Sequence, residues 1–251
     1  MYSVVGRVRN FKQPRGGYLS PMKFEKTILE DGIELNQTEN IGANLVGMAV
    51  DYLARFMTGT PIKDAFSISL LGSSKANEES KAEKLISNII GLDDNSIINA
   101  CKMVGYDVCY RVGIGAFISV DEIQPNAKTI ENIRIMVNRC VAFLRKYGPV
   151  VLAGFDLQGG YTDIISSGDG DYITEDTLWE LKVSAKPPRN IYTLQLLVYY
   201  LMGCRSVHNE FQNIKKLGIF NPRLNIVYRL DISDIDNDVI KSVSSDVIGY
   251  E

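Results

Sequence analysis

The chain has 251 residues, 45% hydrophobic and 23% charged, with a formal net charge of −3, a balance typical of a globular fold. Mild acidity speaks against a dedicated duplex-coating protein, whose affinity comes from neutralising phosphates; it leaves room for an enzyme whose positive charge is local. A lone histidine, His208, and four scattered cysteines with no CxxC pair exclude histidine-pair chemistry and point away from structural zinc, so a general base would be a carboxylate, a lysine or a metal-bound water.

No apolar run reaches the roughly 18–20 residues of a membrane span. The opening MYSVVGRVRNFKQ lacks the apolar core of a secretory signal, and a cytoplasmic location is expected. Residues 1–40 read as short strands and turns, with Gln13–Gly17 and Asp31-Gly32 as turns and Phe24 and Ile33 as core anchors. Apolar residues at Leu45, Met48, Ala49, Tyr52, Leu53 and Phe56 predict an amphipathic helix over 44–57, stopped by Thr58-Gly59. A polar stretch from Gly72 to Lys84 leads into helices over 80–91, 94–111 and 129–147, with a glycine-containing loop from Gly113 to Ala127.

At Val150 the character changes to strand composition. VVLAGFDLQGG, YTDII, GDGDYI and TLWELKV are separated by glycines and turn residues. A helix over 190–203 follows, then two strands split at Asn221-Pro222 and a short helix over 237–244. The reading is a single α/β domain: strands and turns over 1–43, a mainly helical part over 44–147, and a sheet core over 148–251.

Chemistry concentrates between Gly168 and Gly203. With Glu175-Asp176 as the centre of a hairpin turn, antiparallel pairing sets Asp171 opposite Glu180, and Asp169 opposite Lys182, all on one face. A one-residue slip would separate these pairs. Two carboxylates this close repel unless one is protonated or a cation lies between them. Mg²⁺ or Mn²⁺ suits such oxygen donors and would activate water for phosphodiester cleavage, with Lys182 at that water. Gln195 and Tyr199, four residues apart on the next helix, share a face and can act together.

An acid, then ExK, then QxxxY resembles the RecB-like branch of the PD-(D/E)xK nuclease superfamily. The resemblance covers roughly Asn44–Phe56 and Tyr161–Gly203, with the intervening helices as an insertion. It implies a restriction-endonuclease-like mixed sheet flanked by helices, and metal-dependent cleavage of DNA ahead of RNA. Asp171 takes the first-acid position, Glu180 and Lys182 the (D/E)xK pair, and Gln195 and Tyr199 the QxxxY positions; Asp51, in GMAVD, matches an upstream acid that completes the metal site. The sequence departs from the family at Gly170, where the name-giving proline would stand, and Asp163 competes with Asp171 as first acid. Lys186 and Arg189, with Pro187-Pro188 between them, form a basic rim for phosphates. Trp179 reads as a core residue and Tyr192 as a candidate base-stacking surface, while Arg55, Tyr110 and Arg111 could extend a groove from the helical half. The alternative is an inactive nuclease-like fold serving as a nucleic-acid or protein interaction module.

Overall fold

A computed structural model describes residues 1–251. In chain order the elements are β1 (Tyr2–Ser3), α1 (Val4–Asn10), β2 (Glu25–Ile28), α2 (Ala43–Met57), α3 (Ile62–Ala65), α4 (Ser67–Lys75), α5 (Glu79–Ser87), α6 (Asp94–Met103), α7 (Asp107–Arg111) and α8 (Ala127–Tyr147). There follow β3 (Val150–Phe155), β4 (Ile165–Ser167), β5 (Gly170–Thr174), β6 (Thr177–Leu181), α9 (Asn190–Gly203), β7 (Lys216–Asn221), β8 (Ile226–Asp231) and α10 (Asn237–Ser242). The backbone groups into two compact units: Met1–Glu30 with Arg145–Glu251, and Asp31–Leu144. The sequence reads as one domain, because no linker composition marks the junctions.

The first unit is built on a six-stranded mixed sheet of order β2-β8-β7-β6-β5-β3. Every neighbouring pair is antiparallel except β6–β7, which is parallel. Parallel neighbours cannot be joined by a tight turn, and α9 makes the crossover between them. This helix is apolar nearly all round, with Leu194, Leu196, Leu197, Val198 and Met202 fully buried. It packs on the sheet face that carries Ile173, Leu178, Leu217 and Ile219. On the opposite face, Trp179 lies against Gly218, and its indole Nε1 donates to Thr174 Oγ1 at 2.9 Å.

The N-terminal residues correct the expectation of strands and turns. Only Tyr2–Ser3 and Glu25–Ile28 are strands, whereas Val4–Asn10 is helical. Ser3 caps it by accepting from the Gly6 amide at 3.0 Å, and burial of Val4 and Val8 in the core under α9 outweighs their preference for extended backbone. Phe24 is buried as expected, but Ile33 is 51% exposed and anchors nothing.

The second unit is helical. The polar segment expected between Gly72 and Lys84 is largely taken up by α4 and α5, and the span 94–111 breaks into α6, a short 3₁₀ turn and α7. Its interior holds one carboxylate, Asp107, which accepts from Tyr52 at 2.6 Å and Ser69 at 2.5 Å, with Arg111 at 3.5 Å. Burial pushes the Asp107 carboxyl upward in pKa, against those donors. No helix of the chain is long and apolar enough to cross a membrane.

Candidate active site

The β5–β6 hairpin adopts the register expected from its turn. Tyr172 pairs with Trp179 and Ile173 with Leu178, and continuing this ladder by one residue sets Asp171 opposite Glu180. Both sit at the end of the hairpin away from the turn. That end is also the carboxyl end of β6, where Lys182 extends the parallel ladder by donating its amide to Phe220 O at 2.9 Å.

Glu180 is only 4% exposed, so its charge needs partners. Gln195 Nε2 donates to Glu180 Oε1 at 2.8 Å and contacts the Tyr199 hydroxyl at 3.3 Å. The Lys182 ammonium bridges to the same Glu180 oxygen, while its side chain retains 24% exposure. Asp171 Oδ2 accepts from the Leu181 amide at 2.7 Å, which ties the first acid to the strand that carries the second. The hairpin and one face of α9 thus bring Asp171, Glu180, Lys182, Gln195 and Tyr199 into one cluster.

Electrostatics fix the protonation of Lys182 and Tyr199. Burial pushes the Lys182 pKa down, but the Glu180 and Asp171 carboxylates more than offset it, so the net shift is upward and the ammonium is retained. Burial, reinforced by Glu180 and Asp171, raises the Tyr199 phenol far above its ordinary value. Tyr199 is therefore a neutral hydroxyl, and Lys182 is a cation rather than a resting general base.

The remaining candidates are placed differently. Asp163 is exposed in the bend before β4, whereas Asp171 is half-buried within β5. Asp169 precedes β5 and is exposed; its charge contributes to the upward shift of Tyr199. Lys186 and Arg189 are exposed on the loop between β6 and α9. Arg189 lies over the Tyr192 ring at 5.2 Å, and Lys182 at 5.3 Å from the ring centre. Trp179, 2% exposed, is a core residue. Asp51 belongs to the helical unit, where the Arg55 guanidinium holds both its carboxylate oxygens at 3.0 and 2.9 Å. Arg55, Tyr110 and Arg111 belong to that unit as well.

Two residues that carry no motif also shape this corner. Asn221, at the end of β7 and 1% exposed, donates from Nδ2 to Ser184 O at 2.8 Å, while its Oδ1 faces the Ser184 amide at 3.5 Å. Ser184 Oγ in turn accepts from the Lys186 amide at 3.1 Å. In the sequence, Asn221-Pro222 signalled only the break between two strands.

As a metal site, the donor set is small. No group of three or more His, Cys, Asp or Glu side chains is gathered to hold an ion. Asp171 and Glu180 nevertheless fit the habit of Mg²⁺, which takes one or two carboxylates and completes its shell with water and substrate phosphate oxygens rather than an all-protein cage. Comparison of the chain with protein-family models, curated proteins and solved structures gives no match.

Proposed function

We propose that the chain is a metal-dependent nuclease of the PD-(D/E)xK type, in its RecB-like branch, with the restriction-endonuclease-like arrangement that this branch implies. Its substrate is a phosphodiester, in DNA ahead of RNA. The single observation that carries this reading is the convergence of Asp171, Glu180 and Lys182 with Gln195 and Tyr199 at the carboxyl end of β6.

Asp171 and Glu180 would hold Mg²⁺ or Mn²⁺. When bound, such an ion supplies Lewis-acid polarisation of a phosphoryl oxygen and acidification of water. Gln195 fixes the Glu180 carboxylate through its amide, and the neutral Tyr199 hydroxyl sits behind that amide. Lys182, retained as an ammonium beside Glu180, orients the attacking water and offsets charge developing on the phosphate. Lys186 and Arg189 meet the flanking backbone phosphates.

A second reading is supported by the Lys182 ammonium already occupying the Glu180 oxygen and by the lack of a third gathered carboxylate. On that reading the fold is an inactive interaction module. Cleavage assays on single- and double-stranded DNA and RNA with Mg²⁺ or Mn²⁺, together with metal calorimetry, separate the two. A nuclease cuts, and loses cutting in folded Glu180→Ala and Lys182→Ala variants. Absence of both cleavage and metal binding establishes the module, and activity undiminished in those variants rejects the site.

A further inference from the structure

We infer that Asn221 is a positioning residue that holds the loop from Val183 to Arg189 as a preformed phosphate-binding rim, acting through Ser184 on Lys186. The inference rests on the nuclease reading and extends it to how the substrate backbone is held.

The geometry is that of a ladder continued by a side chain. The main-chain pairing of β6 with β7 reaches its last amide contact at Lys182, which donates to Phe220 O. Beyond that point a surface loop would ordinarily be free to move. Here the Asn221 amide presents a donor to Ser184 O at 2.8 Å and an acceptor towards Ser184 N at 3.5 Å, so it takes the place of the next peptide group of a neighbouring strand. The same Oδ1 accepts from the Arg223 and Leu224 amides at 3.0 and 3.3 Å, which anchors Asn221 in the turn after β7.

Restraint then passes outward. Ser184, fixed at both its amide and its carbonyl, offers Oγ to the Lys186 amide. At the far end of the loop, Arg189 Nη2 donates to the Tyr192 hydroxyl at 3.3 Å, with the guanidinium over that ring. Pro187-Pro188 removes two amide donors and fixes two φ angles between the cations. A loop held at both ends and stiff in its middle has little ordering entropy left to lose on binding. Its two exposed cations, Lys186 and Arg189, stand on the loop that leaves β6 after Lys182 and runs to the start of α9. Asn221 touches no substrate in this scheme; its effect reaches the phosphate only through Ser184 and Lys186.

A double-mutant cycle tests this with the full chain and fluorescein-labelled single- and double-stranded DNA, in EDTA so that no strand is cut. Binding is followed by anisotropy over a range of salt. Lys186→Ala should weaken binding about tenfold, the scale of one charge-assisted hydrogen bond, and lower the salt slope by about one. Asn221→Ala should reproduce most of that loss and the shallower slope, yet add less than about twofold in the Lys186→Ala background. With metal restored, it should raise KM more than it lowers kcat. Ser184→Ala removes only the outer link, leaves the buried Asn221 in place, and should give a smaller loss that also vanishes in the Lys186→Ala background; it decides the matter if Asn221→Ala does not fold. Losses that add fully to that of Lys186→Ala, or no loss in folded variants, overturn the positioning role while leaving the nuclease reading intact. A wild-type chain that binds no DNA in EDTA and, with Mg²⁺ or Mn²⁺ restored, neither binds nor cleaves DNA or RNA overturns both.

Discussion

Removing the Lys182 charge should cost more stability than removing the Glu180 charge, although the two form one ion pair. Glu180 is 4% exposed, while the Lys182 side chain keeps 24% exposure. In Lys182→Met the apolar stem remains, but a buried carboxylate is left with Gln195 as its one described donor. Breaking a fully buried pair costs about 3–5 kcal/mol; with Gln195 still in place and Lys182 partly hydrated, about 2 kcal/mol is expected. In Glu180→Gln the lysine can turn to water and the new amide still accepts from Gln195, so about 0.5–1 kcal/mol is expected. The double variant leaves no buried charge and should lie within about 0.5 kcal/mol of Glu180→Gln. The assay is urea unfolding followed by far-UV dichroism and by the fluorescence of Trp179, the only tryptophan and the residue next to Glu180. Because the Lys182 pKa is raised on folding, the pairing is fully present below the unfolded value of about 10.4. It is lost only as pH rises through the higher folded value, so the Lys182→Met deficit should be constant through neutral pH and shrink in the alkaline range. Equal costs for the two single variants, or a double variant at their sum, would refute the burial asymmetry.

Two further outcomes concern the scaffold. Asp31 accepts from buried Arg139 at 2.6 and 3.0 Å, and these hydrogen bonds hold its carboxyl below the usual range. Asp31→Asn should therefore cost about 1–3 kcal/mol at neutral pH. Its deficit should fade as pH falls below about 3.9 and through the folded value of Asp31, as read from stability curves of both proteins against pH. A Cβ added at Gly218 would fall 2.2 Å from the Trp179 ring, so Gly218→Ala should cost about 1–3 kcal/mol by overpacking and shift the Trp179 emission.

Much of the sheet unit was legible in the chain because its signals are local. Strand-forming residues on either side of the Glu175-Asp176 turn set the β5–β6 hairpin and its register, and a mainly apolar run set α9 over Asn190–Gly203. From those two elements the convergence of Asp171, Glu180, Lys182, Gln195 and Tyr199 follows, since strand alternation and helical spacing fix which side chains share a face. The same local logic failed at Val4–Asn10, a helix within a segment that reads as strands and turns, and at Ile33, whose apolar side chain found no core.

What the tertiary structure alone decided is non-local. The parallel pairing of β6 with β7 joins segments on either side of α9, and only that pairing brings Asn221 to Ser184. Nor could composition show that Glu180 would be buried and Lys182 partly wet, although this difference sets their energies and keeps the lysine charged. Residue types and spacing determined which groups can meet in this protein. How deeply each is buried, and which backbone it braces, depended on long-range packing that no local pattern encodes.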